Sequence, residues 1–284
     1  MTVPESIAVV GAGQMGSGIA HVFAVAGYPV VLVDVSAAAL ARARATIERN
    51  IERQVAKGTV TDAVRAAALA RITANPDLSA VADAAVIIEA AAEDPALKFS
   101  LFAELDRVAA PAAILASNTS SISITEIGAH TRRPEQVIGM HFMNPAPVLQ
   151  LVEVIRGLAT SDATTERTMA LARAVGKTPV EARDYPGFIA NRVLLPMINE
   201  AVFCVMEGVG TPEAIDTVMR LGMQHPMGPL ALADLIGLDT CVAILDVLHR
   251  GLGDPKFRAC PLLRTYVAAG WLGRKTKRGF YRYD

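Results

Sequence analysis

Four short segments of this 284-residue chain carry side chains suited to acid–base chemistry. They are Ser117-Asn-Thr-Ser120-Ser, His141-Phe-Met-Asn144-Pro, Leu151-Val-Glu153-Val and Pro186-Gly-Phe-Ile-Ala-Asn191-Arg. An imidazole titrates near neutrality and can take a proton from an alcohol. A carboxylate beside it fixes the tautomer and stabilises the imidazolium. His141 reads as ending one strand and Glu153 as lying on the next, with the turn Asn144-Pro-Ala-Pro147 between them. Such a hairpin could bring the carboxylate to the imidazole. Plainer readings stay open here. A histidine at a strand end is often a satisfied structural residue. Ser117–Ser121 could be a turn with side-chain caps, Glu153 an edge-strand carboxylate, and Asn191 a polar group on a helix face. His21, His130, His225 and His249 have no comparable setting, and His21 reads as packing within a helix.

A second constellation lies near the N-terminus. Gly11, Ala12, Gly13, Gln14, Met15 and Gly16 form a GxGxxG loop between an apolar run and a helical pattern. Gly11 permits the tight turn, Gly13 lets backbone approach a pyrophosphate, and Gly16 lets helix and strand pack closely. The helix N-terminus offers unpaired N–H groups and a positive dipole end to phosphates. Asp34 closes the next strand, 18 residues beyond Gly16, where a carboxylate can accept from both ribose hydroxyls and repel a 2′-phosphate. No arginine follows it directly, so NAD is favoured over NADP. A bound NAD would make hydride transfer the chemistry for which His141 is the base. The alternative is a glycine turn in some other α/β fold.

These side chains need a scaffold. Ser6–Val10 and Pro29–Asp34 read as buried strands around a helix from Gln14 to Ala26, a βαβ unit. Ser36 caps a long helix to about Lys57, and Ala63–Arg71 reads as another helix. Further strands are expected at Ala85–Glu89, Ala113–Ala116, Val137–Met140, Leu149–Ile155 and Pro179–Glu181. Helices are expected at Pro95–Val108 and about Thr164–Val175. Continuous Val/Ile runs suit parallel strands covered on both faces. After Asp184-Tyr-Pro-Gly187 only helical patterns follow, to Ala269. The expected fold is α/β: a Rossmann-type domain with a mostly parallel sheet over 1–184, then an all-helical domain over 185–284.

Composition narrows the classes. With 27 Lys+Arg against 28 Asp+Glu and 52% hydrophobic residues, the chain is neither disordered nor a basic nucleic-acid binder. The mean hydropathy of +0.36 does not mean membrane. The most apolar window, Ile19–Val33, contains His21, Gly27 and Pro29. No secretory pattern opens the chain. Cys204, Cys241 and Cys260 lie far apart with no metal spacing, which fits free thiols. A cytoplasmic location is expected, without metal.

In combination and in order, SNTSS, HFxNP, LVEV and PGFxxNR resemble the L-3-hydroxyacyl-CoA dehydrogenases, of the bacterial 3-hydroxybutyryl-CoA dehydrogenase type. The resemblance runs from the glycine loop to the closing Gly273-Arg-Lys-Thr-Lys-Arg-Gly279. It implies His141 as general base with Glu153 as partner. It implies that Ser120 and Asn191 hydrogen-bond the reacting oxygen or the thioester region. It implies that Glu93, Lys98, Ser120, Asn144 and Lys275 contact the nicotinamide nucleotide. It also implies an acyl-CoA substrate, a homodimer, and a helical domain that closes over the acyl chain. Coenzyme A needs a basic contact for its phosphates, and Asn50, Arg53 and Lys57 fall on one helix face at i, i+3 and i+7. The family places coenzyme A contacts on this helix, matching Asn50 and Lys57. A solvated basic face is the plainer reading, since Arg42, Arg44 and Arg49 decorate the same helix. Two departures stand out: Met143 replaces a usual Phe, and Lys277 stands where Gly is usual, a strained choice if φ is positive there. Two rival functions remain at this stage. One is a dehydrogenase of a free hydroxy acid or sugar acid, the other a non-catalytic dinucleotide-binding protein on the same fold.

Overall fold

A computed structural model describes residues 5–284. The βαβ start forms as expected: β1 (Ile7–Val10), α1 (Gln14–Val25) and β2 (Val30–Val33). Helix α2 (Ala37–Ala56) begins where the Ser36 hydroxyl accepts from Ala39 N. After α3 (Asp62–Arg71) comes β3 (Ile72–Asn75), then β4 (Val86–Glu89), α4 (Pro95–Val108) and β5 (Ile114–Ser117). The first unit continues through α5 (Ile124–Ala129), β6 (Val137–Phe142), β7 (Leu151–Arg156), α6 (Asp162–Ala174) and β8 (Thr178–Arg183).

The strands form one sheet in the order β3-β2-β1-β4-β5-β6-β7-β8. From β3 to β6 neighbours are parallel, β6–β7 is antiparallel, and β7–β8 is parallel again. All residues of β1, β4, β5 and β6 are buried, so helices cover both faces, as their near-continuous apolar runs require. The order reverses between β1 and β4, the switch point at which open α/β sheets bind ligands beyond the strand carboxyl ends. The mostly parallel α/β class is therefore as expected.

Three local features differ from expectation. Strand β3 was not anticipated: only Ile72 of its four residues is buried, and an edge strand of Thr, Ala and Asn has no apolar run to betray it. Helix α5 was not anticipated either, although Ser123-x-x-Glu126 is a capping pattern and the Ser123 hydroxyl does accept from Glu126 N. Strand β6 runs on to Phe142, so His141 lies inside the strand, one residue before its end.

The chain divides after Asp184 into a second unit, Tyr185–Asp284. It holds α7 (Ala190–Met206), α8 (Pro212–Thr217), α9 (Pro229–Ile236), α10 (Leu238–Leu252) and α11 (Pro261–Ala268). Its core is built from Leu195, Ile198, Leu230, Leu238, Leu245 and Leu248, with buried Cys241 and Cys260. The C-terminal tail departs from helix: it folds through isolated bridges Gly273–Arg278 and Arg278–Arg282. Buried Asp234 anchors that tail, accepting from Phe280 N, Tyr281 N and Tyr283 Oη at 3.0, 2.9 and 2.9 Å. Lys277 has φ +58°, the left-handed value that makes glycine the easier residue there.

Candidate active site

The glycine turn is built as its residue types demand. Gly11 has φ +106°, and a Cβ there would lie 2.5 Å from Ala90 O. A Cβ on Gly16 would sit 1.7 Å from Gly11 O, so no larger residue fits. Helix α1 opens at Gly13 without a side-chain cap, which leaves its first N–H groups available to an anion. Asp34 braces the turn: Oδ2 accepts from Ala12 N at 2.8 Å and Oδ1 from Ser36 N at 2.9 Å. Each oxygen keeps a second lone pair, so the carboxylate can still accept from a ribose.

Two clefts adjoin Asp34. One, of about 530 Å³, is lined by Gly13, Gln14 and Ser17, by Arg42, Thr46 and Asn50 of α2, and by Asn144–Pro147. The other, of about 670 Å³, is lined by Gly11, Asp34, Pro76, Leu78, Leu97, Ser100 and Leu101. Its lining is the more apolar of the two. Sequence reading missed this second wall because it depends on β3 and the turn after it. It also passed over Arg42 and Thr46 as cleft residues. Their signal was present in the spacing 42, 46, 50, one stripe of a helix.

His141 and Glu153 face each other across the antiparallel β6–β7 ladder as register partners. His141 Nδ1 lies 2.9 Å from Glu153 Oε2, with the two residues 8% and 2% exposed. A carboxylate accepts only, so Nδ1 carries the proton and Nε2 is left as the basic nitrogen. The pairing is a consequence of register: a slip of one residue would put the two side chains on opposite faces.

The serine segment after β5 is organised by acids. Glu93 Oε1 accepts from Thr119 Oγ1 at 2.6 Å, Ser120 N at 2.9 Å, Ser121 Oγ at 2.9 Å and Ser120 Oγ at 3.2 Å. Burial pushes the Glu93 carboxyl up, but these bonds and the Lys98 ammonium outweigh it, so its pKa lies below the ordinary value. Lys98 is itself buried, donating to Glu89 Oε1 at 2.5 Å and lying 3.5 Å from Glu93 Oε2. Ser117 Oγ donates to the other Glu89 oxygen at 2.6 Å. Asn118 Oδ1 accepts from Phe142 N at 2.9 Å, which ties the segment to β6 beside His141. Glu89 escaped the sequence reading. Its signal was a lone carboxylate closing the buried run Val86-Ile-Ile-Glu89.

The remaining predicted residues fall as follows. Gln14 Nε2 donates to Asn144 Oδ1 at 3.0 Å, joining the glycine turn to the β6–β7 turn. Met15 is half-buried against the sheet core. Asn50 lines the smaller cleft, whereas Lys57 caps the end of α2, exposed and away from it. Asn191 and Lys275 belong to the second unit. Asn191 is the second residue of α7, and Lys275 Nζ donates to both oxygens of Asp239 at 2.5 and 2.6 Å. Among the described residues no cluster of His, Cys, Asp and Glu could hold a metal, and no helix is long and apolar enough to cross a membrane.

Comparison with known proteins gives the family. Residues 6–185 match the family model described as 3-hydroxyacyl-CoA dehydrogenase, NAD binding domain, and residues 187–283 its C-terminal domain. The chain is 58% identical over 280 residues to the "Probable 3-hydroxybutyryl-CoA dehydrogenase" of Bacillus subtilis (strain 168), covering 99% of this chain and 98% of that one. It is 56% identical over 281 residues to the 3-hydroxybutyryl-CoA dehydrogenase of Bradyrhizobium diazoefficiens, covering 99% and 96%. The crystal structure of (S)-3-hydroxybutyryl-CoA dehydrogenase from Ralstonia eutropha superposes with a TM-score of 0.96 at 49% identity, covering 99% of each chain.

Proposed function

Since the chain belongs to the 3-hydroxyacyl-CoA dehydrogenase family, we propose that it interconverts a short L-3-hydroxyacyl-CoA and its 3-oxoacyl-CoA, using NAD. The observation that carries this reading is the buried His141–Glu153 pair at 2.9 Å. In oxidation His141 Nε2 takes the C3 hydroxyl proton, and in reduction the imidazolium returns it to the oxo oxygen. Glu153 holds the tautomer and stabilises the imidazolium. Bound NAD supplies the hydride acceptor.

The residues fit that nucleotide. Gly11–Gly16 and the uncapped start of α1 receive the pyrophosphate, Asp34 the ribose, and the larger cleft the adenine. Asp34 rejects a 2′-phosphate by charge. Glu93, with Lys98 behind it, and Asn144 and Lys275 contact the nicotinamide half. Ser120 and Asn191 hydrogen-bond the reacting oxygen or the thioester. Asn50 and Lys57 attend the coenzyme A moiety, with Arg42 adding positive charge to the cleft. The second unit closes over the acyl chain and provides a homodimer contact. Exposed Val193, Val209, Val218, Leu221 and Met223 are the apolar surface that supports the latter.

The test is a comparison of acetoacetyl-CoA with free acetoacetate and a sugar acid, each with NADH and NADPH, in wild type and His141→Ala. Turnover of the thioester with NADH, lost in His141→Ala while NADH still binds, is the expected result. Faster turnover of a free acid would replace the substrate reading, and a wild-type rate in His141→Ala would remove the base.

A further inference from the structure

The turn from β6 to β7 carries Asn144 and has few donors of its own, because Pro145 and Pro147 lack N–H groups. Within the turn, Pro145 O accepts from Val148 N at 2.9 Å and Leu149 N at 3.1 Å. The carbonyls of Ala146 and Leu149 are met from elsewhere. Lys177 Nζ donates to Ala146 O at 2.6 Å and to Leu149 O at 2.7 Å.

Lys177 stands in the turn from α6 into β8 and is 9% exposed. Burial lowers its pKa. An ammonium out of water is expensive unless it is hydrogen-bonded, and both of its hydrogen bonds go to this one turn. The same turn is met by α1. A Cβ on Gly18 would lie 3.2 Å from Ala146 Cβ and 3.3 Å from Pro147 Cδ, so the helix that starts at the glycine turn rests directly on it. Gln14 of that helix then reaches Asn144 at 3.0 Å.

We propose that Lys177 is a positioning residue for the nucleotide site: it holds the 144–149 turn against α1 and so keeps Asn144 joined to Gln14 at the cleft wall. Lys177 does more than pack the core. An apolar residue could fill the space but could not satisfy the Ala146 and Leu149 carbonyls, since the N–H groups of Val148 and Leu149 go to Pro145 O instead. The proposal rests on reading Asn144 as a contact of the nicotinamide half of NAD.

Lys177→Met keeps most of the apolar stem and removes the charge and donors. In fluorescence titrations it is expected to raise the NADH Kd about tenfold, the scale of a lost charged hydrogen bond. The KM for acetoacetyl-CoA should change much less. Lys177→Arg should recover most of the NADH affinity. Because Lys177 acts through Asn144, the double variant with Asn144→Ala should bind NADH no more weakly than the weaker single variant. A folded Lys177→Met with wild-type Kd, or additive losses in the double variant, overturns the proposal alone. Wild-type protein that does not bind NADH overturns the cofactor reading with it. Should Lys177→Met not fold, Lys177→Gln is titrated in the same way, with the same outcomes deciding.

Discussion

Glu153→Gln tests the centre of the mechanism with almost no change in shape. The pair is buried, and Nδ1 to Oε2 is 2.9 Å. With charge centres about 4 Å apart and an effective dielectric of about 20, the carboxylate is worth about 4 kcal/mol to an adjacent imidazolium. That charge develops as the hydroxyl proton leaves, so the loss falls on the transition state. Glutamine can still accept one hydrogen bond from Nδ1, which returns part of the energy. It can also donate its amide to Nδ1 and hold the wrong tautomer. A fall in kcat of about 10²–10³ follows, at about 1.4 kcal/mol per tenfold. The assay is reduction of acetoacetyl-CoA followed by NADH absorbance, with NADH Kd from fluorescence and circular dichroism to check the fold. Kd should stay within about twofold, since the pair lies on strands that the glycine turn does not use. The same substitution in a His141→Ala background should have almost no further effect, because the two residues act as a unit. A kcat within about threefold of wild type would refute the assignment of Glu153. An undiminished loss in the His141→Ala background would refute the coupling.

Two further outcomes follow from the electrostatics. Glu93 has a folded pKa below its ordinary 4.5, so its stabilising contribution is complete above that value and is lost as pH falls through the lower folded one. Glu93→Gln should therefore lower Tm near neutrality and flatten the decline of Tm below about pH 5, whereas parallel Tm–pH curves would refute the role. Asp234→Asn leaves one acceptor oxygen for three donors that now share two. It should cost about 2–3 kcal/mol in urea unfolding and expose the tail to proteolysis, and an unchanged midpoint would refute the anchor.

Much of the fold was legible because its signals are local. The runs Ile7–Val10 and Val86–Glu89 are buried along their whole length, and a strand covered on both faces reads as a near-continuous apolar run. The start of α2 was legible from Ser36 and that of α4 from Pro95. Strand β3 was not legible, because an edge strand is held by pairing with β2 rather than by its own composition. Glu89 was hidden for a related reason. A carboxylate is tolerated at a buried strand end only when partners neutralise it, and those partners, Lys98 and Ser117, come from α4 and β5.

Sequence by itself determined the class of chemistry. Gly11, Gly13, Gly16 and Asp34 carry their meaning in their types and spacing, since a Cβ at Gly11 or Gly16 would run into backbone, a bare Gly13 leaves room for a pyrophosphate, and the ribose requires an acceptor. The order SNTSS, HFxNP, LVEV and PGFxxNR likewise marked the family, which matches over residues 6–185 and 187–283. Only the tertiary structure decided which groups meet. It paired His141 with Glu153 through strand register, turned Lys98 inward to Glu89, put Glu93 under the serine segment, and brought Lys177 to the turn that carries Asn144. The physical reason is range. Conformational preference acts over a few neighbouring residues, whereas hydrogen-bond partnership between buried polar groups is settled by whichever elements the packed core brings within about 3 Å.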